Sequence, residues 1–207
     1  MGKDSGFTSG WSLQKYSSLA KNWSNLEGTP DFVGHWGAQI PSLSDKKSFK
    51  RAGITLGQIL QTPTDLSRSN LIEEDVPYAG VLTIQATWYA FNNEQFHGFQ
   101  TTLGMVGPMS LAEQTQKVLH KQLGNDDPKG WDNQLTNVLL LNFSYMTKKK
   151  LWQSGNLSGQ SYDASASGSI VLGNMFTQAL TSVELRYGHN MPGGFVNTLD
   201  PIGYSMQ

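Results

Sequence analysis

Between Gly80 and Asn92 the sequence alternates strictly. Leu82, Ile84, Ala86, Trp88 and Ala90 fall on one side of an extended chain, and Thr83, Gln85, Thr87 and Tyr89 on the other. That is the period of a β-strand, in which successive Cβ atoms point to opposite faces. Asn92-Asn93-Glu94 gives a tight reversal and Phe96 to Val106 returns, so the pair reads as a hairpin. The Trp-bearing face is roughly ten residues tall, the height a tilted strand needs to cross a bilayer. Its opposite face is polar but uncharged. Two environments accept such a strand: a soluble sandwich with its polar side in water, or a membrane barrel with its apolar side in lipid.

The composition agrees with strands and turns. Cysteine is absent, which removes disulfides, thiolate metal sites and thiol nucleophiles. Fifteen basic against sixteen acidic residues leave a net charge of -1, so no broad basic face for nucleic acid is expected. The longest purely apolar run is Val138-Leu139-Leu140-Leu141, far short of the about 20 residues a membrane helix requires. The first residues, MGKDSGFTSGWSLQKYSS, lack the apolar core of a signal peptide. A polar average does not argue against a barrel, whose strands carry only weak dyad alternation.

Further strands are expected at Phe7–Tyr16, Ala52–Gln61, Gln134–Met146, Tyr162–Asn174 and Phe176–Gly188. Glu184 and Arg186 share the polar face of the last, which suits a wet lumen or plain solvent. Ser17 to Lys50 is rich in Gly and Pro and reads as a long loop with at most a short strand near Val33–Ile40. Thr147-Lys148-Lys149-Lys150 reads as a basic turn with solvated lysines, lipid phosphate contact being the alternative. The tail from Met191 is irregular. Roughly seven strands result, whereas closed single-chain barrels of the outer-membrane kind usually have an even number of at least about eight. The chain therefore reads as an excerpt of a barrel.

Chemistry-bearing residues gather between Gly104 and Leu135. Ser110 and Glu113 form a capping-box pattern, which predicts a helix from Leu111 with Gly124 as its stop. Gln116 and His120 are four apart and share a face. Asn125-Asp126-Asp127-Pro128 then places carboxylates where they can fold back toward that face. An imidazole near carboxylates can serve as a general base. Alternatively, the carboxylates and the Gln116 amide oxygen could hold a hard cation such as calcium, with the histidine activating water beside it. The bland reading is a surface histidine followed by an ordinary turn. His35, His97 and His189 have no comparable acidic neighbours.

At these residues the sequence resembles the outer-membrane lipid A 3′-O-deacylase family. DSGFTSG (Asp4 to Gly10) is similar to the Asp-x-x-Tyr-Thr-Asn-Gly of the family. QTPTDL (Gln61 to Leu66) looks like its Tyr-Thr-Pro-x-Asp, and DVPYAG (Asp75 to Gly80) like its Asp-Arg-Pro-Tyr-Ala-Gly. GMVGPMSLAEQTQKVLH, PKGWDNQL, LGNMFTQA and LRYG follow in order, so the resemblance spans nearly the whole chain, and the run from Gly107 to Leu135 is its most specific part. The resemblance implies an all-β, antiparallel transmembrane β-barrel of about 12 strands, of which about seven or eight lie in residues 1–207. These residues would form a single outer-membrane domain truncated at both ends, with one short helix. It further implies calcium-dependent hydrolysis of the 3′-O-linked acyloxyacyl ester of lipid A, in the outer membrane of a Gram-negative bacterium.

In that reading His120 is the general base and Gln116 the polar residue one turn before it. Asp126 stands where the family has a carboxylate, typically Glu; being one methylene shorter, it leaves Asp127 as the other candidate metal ligand. The partner is lipid A or lipopolysaccharide, the protein a monomer. Val76 replaces the usual Arg, and the family's Asn-Asp pair that precedes the Asp-x-x-Tyr-Thr motif is not among these residues. The alternative is a non-catalytic outer-membrane barrel, structural or ligand-binding. A soluble sandwich is the third, to be abandoned if Leu82, Ile84 and Trp88 form an exposed belt.

Overall fold

The computed structural model describes residues 9–155, 159–191 and 194–195; the motif residues before Ser9 and most of the tail lie outside them. Seven strands are present: β1 (Ser9–Tyr16), β2 (Phe49–Gln61), β3 (Ala79–Phe91), β4 (Gln95–Val106), β5 (Val138–Gly155), β6 (Gln160–Gly173) and β7 (Gln178–His189). They form one sheet in sequence order, with β1 and β7 at its edges. The β5–β6 register runs from Asn142↔Gly173 to Gly155↔Ser161, broken by a bulge between Lys150 and Trp152. β6 and β7 pair antiparallel from Gln160↔His189 to Val171↔Gln178. The all-β expectation and the expected hairpin both hold.

The sheet is inside out by the standards of a water-soluble protein. In β3 the polar residues Thr83, Gln85 and Thr87 are buried, while Ile84 between them is 49% exposed. The same inversion recurs in β5, where Asn142 and Ser144 are buried and Leu141 and Phe143 exposed. In β7 the outward Val183 and Leu185 are 69% and 79% exposed. Leaving a Leu or Val side chain in water rather than burying it costs about 1.5–3 kcal/mol. A belt of this extent is untenable in water and expected against lipid. No helix among the described residues is long and apolar enough to cross a membrane.

Contacts cluster into two units. The first takes residues up to Gln14 together with Thr55–Gln85 and Thr102–Leu141; the second takes Lys15–Ile54, Ala86–Thr101 and the residues from Asn142.

Two expectations fail in the second unit. The stretch expected to be loop or short strand contains a helix, α1 (Asp31–Gln39). Its buried residues Val33, Gly34 and Gly37 pack on Trp23 and Trp88, in a cluster with Leu43, Ala52 and Ala90. Gly37 is required here, because a Cβ would fall 2.7 Å from the Trp23 ring. The Trp88 indole N–H donates to the Val33 carbonyl at 2.7 Å. Contacts distant in sequence thus supply the helix's stability, and local pattern does not carry them. Trp88 is consequently buried, unlike its strand neighbour Ile84.

The second failure is the basic turn. Thr147–Lys150 lies inside β5, with Lys148 buried and Lys150 half-buried. Lys150 pairs with Asp163 at 3.1 Å and Lys148 with Glu184 at 3.7 Å. Arg186 Nε donates to Asp163 at 2.9 Å. Counter-charges from β6 and β7 make a strand of what looks locally like a loop tip. Glu184 and Arg186 therefore do belong to a polar, inward network.

Candidate active site

The site lies within the first unit, and its geometry starts where β4 ends. Gly107 has φ +91°, and its N–H donates to the Gly80 carbonyl at 2.9 Å. A Cβ there would fall 2.7 Å from the Leu135 carbonyl oxygen, so position and conformation both demand glycine. A 3₁₀ turn (Pro108–Ser110) leads into helix α2 (Ala112–Leu123). The capping box does not form. Leu111, in the left-handed region at φ 59°, occupies the N-cap without a side-chain cap bond. Ser110 is fully buried one residue earlier, and its carbonyl accepts from Gln58 Nε2 at 2.6 Å. Glu113 instead pairs with Lys117. The tight turn imposed by Gly107 places Ser110 too early to cap.

Helix α2 docks through Ala112 and Gln116, its two buried residues. Ala112 joins Leu60, Tyr78 and Trp131 in a compact apolar cluster. Gln116 is 2% exposed, and its Oε1 accepts a 2.8 Å bond from the Trp131 indole N–H. The amide thus fastens the downstream loop to the helix, and its oxygen faces Trp131. Tyr78 stacks at a tilt on Trp131, with centroids 4.9 Å apart. Val118 and Leu123 are exposed.

The helix stops where the sequence said it would. Gly124 adopts φ +71°, and the N–H groups of Gly124 and Asn125 both turn back to the His120 carbonyl. This reversal brings the acidic loop over His120. The contact is made by the main chain: His120 Nδ1 lies 2.6 Å from the Asp126 carbonyl oxygen. A carbonyl can only accept, so Nδ1 carries a proton, and in the neutral ring Nε2 is the nitrogen with the lone pair. The carboxylates of Asp126 and Asp127 are exposed. Lys129 N–H donates to the Leu66 carbonyl at 3.0 Å and Asn133 Nδ2 to the Ser69 carbonyl at 2.7 Å, which ties down the far side of the loop.

Together these residues outline a cleft of about 520 Å³ lined by Leu66, Ser67, His120, Asp126, Asp127 and Lys129. Leu66, Ser67, Lys129 and Trp131 were not singled out as site residues from sequence. Only QTPTDL and PKGWDNQL, as motifs, marked their segments. Two carboxylates on a cleft wall are hard oxygen donors of the kind calcium takes, in a shell of about six to eight oxygens. Among the described residues no three His, Asp or Glu side chains gather as a metal site. Asp126 and Asp127 alone fall short of such a shell, and any cation held there would need further oxygens.

Comparison with known proteins fixes the relationship. The family model described as outer membrane protein LpxR matches residues 1–206. The chain belongs to this family. A solved structure, LpxR from Salmonella typhimurium, superposes with a TM-score of 0.58 at 14% identity, covering 86% of this chain and 64% of that one. At that identity the likeness speaks for the fold, an antiparallel transmembrane β-barrel, and the chain spans about two thirds of the structure's length. No curated protein matches. As a member of the LpxR family with an inverted sheet, the chain is an outer-membrane protein of a Gram-negative bacterium.

Proposed function

We propose that the protein is a lipid A deacylase that hydrolyses the 3′-O-linked acyloxyacyl ester, with His120 as general base. The observation that carries the reading is the 2.6 Å contact between His120 Nδ1 and the Asp126 carbonyl. It leaves Nε2 as the basic nitrogen, beside a cleft large enough for an ester group. Water gives a proton to Nε2 as its oxygen bonds to the ester carbonyl carbon. When the tetrahedral intermediate collapses, the bond from that carbon to the sugar oxygen breaks. The imidazolium then returns the proton to the departing 3′ alkoxide, leaving a free acid and a free hydroxyl.

The helix face and the loop hold the base in position. Gln116 acts as a positioning residue, because its amide oxygen accepts from Trp131 and so fixes the loop that carries Asp126. Calcium, when bound with help from Asp126 and Asp127, would polarise the ester carbonyl and stabilise its oxyanion. Lipid A is the substrate implied by family membership, and the exposed apolar belt supports a position beside its acyl chains.

The test uses the full-length protein with lipid A and mass spectrometry. Loss of the mass of the 3′ acyloxyacyl group is expected from the wild type, and none from His120→Ala. Activity retained in His120→Ala would overturn the mechanism. No hydrolysis by the wild type, with or without calcium, would favour a non-catalytic barrel.

A further inference from the structure

Helix α1 is not used by the proposed reaction, and its location is unusual. Thr87 reaches the Gly53 carbonyl at 3.4 Å, and Tyr89 packs with Phe96 and Met146. These residues mark the inward face of β3, so Trp88 between them points outward. Trp88, Ala90, Ala52 and, more peripherally, Ile54 and Ala86 form the floor on which α1 lies. The helix therefore covers the outward, apolar face of the sheet. On that face strands β5 and β6, further along the sheet, expose Phe143, Ile170 and Leu172, and in an outer-membrane protein these side chains meet lipid.

The helix does not end that face. Phe32 and Trp36, one turn apart on its far side, are 58% and 62% exposed. Asp31, His35 and Gln39 beside them are exposed and polar. A short helix with two large aromatics between polar neighbours, seated on a lipid-facing wall, matches the amphipathic zone between acyl chains and headgroups. We propose that α1 is an interfacial helix, with Phe32 and Trp36 immersed at the headgroup–acyl boundary of the bilayer. The occupant is lipid because α1 rests on a face already continuous with the bilayer. The connection from β1 to β2 thereby becomes part of the membrane contact instead of a loop in water.

Because the chain has no cysteine, single labels report unambiguously. Phe32→Cys and Trp36→Cys, each carrying an environment-sensitive fluorophore, are compared with Leu172→Cys as lipid reference and Asn93→Cys as aqueous reference. The full-length protein is reconstituted in phosphatidylethanolamine–phosphatidylglycerol vesicles, with folding checked by heat-modified gel mobility. Both target side chains are exposed, so their replacement leaves the buried cluster intact. Labels at 32 and 36 are expected to lose most of their emission to a shallow nitroxide lipid, less to a deep one, and little to iodide. Emission quenched by iodide as at Asn93 would overturn the proposal. So would a label shielded from both quenchers, which would mean that protein, such as a second copy, covers the helix.

Discussion

Gly80 offers the sharpest test of how the sheet positions the base. A Cβ at this position would lie 2.1 Å from Ser110 Oγ and 2.2 Å from Ala112 Cβ. Ordinary carbon contacts sit at about 3.5–4.0 Å, so the turn and the first residue of α2 must retreat by roughly 1.5 Å. Ser110 cannot swing clear, since it is fully buried and its carbonyl is held by Gln58. Overpacking of this kind costs about 1–3 kcal/mol. The larger effect should be on rate, because a displacement of about 1 Å in a catalytic group can cost about a hundredfold. Gly80→Ala is therefore expected to fold, shown by heat-modified mobility, with a lower urea midpoint in vesicles. Lipid A deacylation should fall about tenfold to a hundredfold. Adding Ser110→Gly and Ala112→Gly removes both clashing groups and should recover part of the rate. A Gly80→Ala protein with unchanged midpoint and rate would refute the idea that this contact sets the helix position.

Other perturbations follow from the same geometry. Trp131→Phe keeps a ring in the cluster but strands the Gln116 oxygen, and should cost about 1–3 kcal/mol in a urea titration with a slower reaction. Gly124→Ala has free space around it but φ +71°, so the expected loss is about 1–2 kcal/mol of local stability, seen as faster amide exchange at Asn125. Asp163→Asn removes the buried carboxylate that pairs with both Lys150 and Arg186, leaving Arg186 with Glu184 at 3.7 Å, and should cost about 3–5 kcal/mol; an unchanged urea midpoint would rule this out. Asp75 accepts N–H bonds from Thr64 and Val76, both at 2.7 Å, which hold its carboxyl below the ordinary value of 3.8. Its hold on the loop is thus fully present above that value and lost as pH falls through the lowered pKa. Limited proteolysis of the loop should accelerate only in strong acid. Asp75→Asn should loosen it already at neutral pH and remove the acid response.

The strands were legible because dyad alternation is a local signal. β3 and β4 lie within a residue of their expected bounds. The Gly124 stop was legible for the same reason, since a left-handed C-cap is written in one residue. Helix α1 was hidden because Gly34 and Gly37, which read as loop punctuation, are the clearance for Trp23. Lys148 and Lys150 misled because their partners Glu184 and Asp163 stand on other strands. The site was half legible. The spacing put the acidic loop near His120, but the atom that reaches the ring belongs to the backbone, and no side-chain pattern encodes it. Likewise Gln116 shares the helix surface with His120, yet it turns inward because Trp131 offers it a donor.

That backbone contact has a consequence for how the site can change over time. The group that orients the imidazole is the carbonyl of residue 126, which every amino acid possesses. Replacing the Asp126 side chain leaves the orienting oxygen in the protein, so long as Gly124 keeps its turn. Position 126 can therefore exchange its carboxylate without loss of the histidine tautomer. For the tautomer, length and turn shape between helix and loop carry the constraint, while the side chain at 126 bears only on the cation.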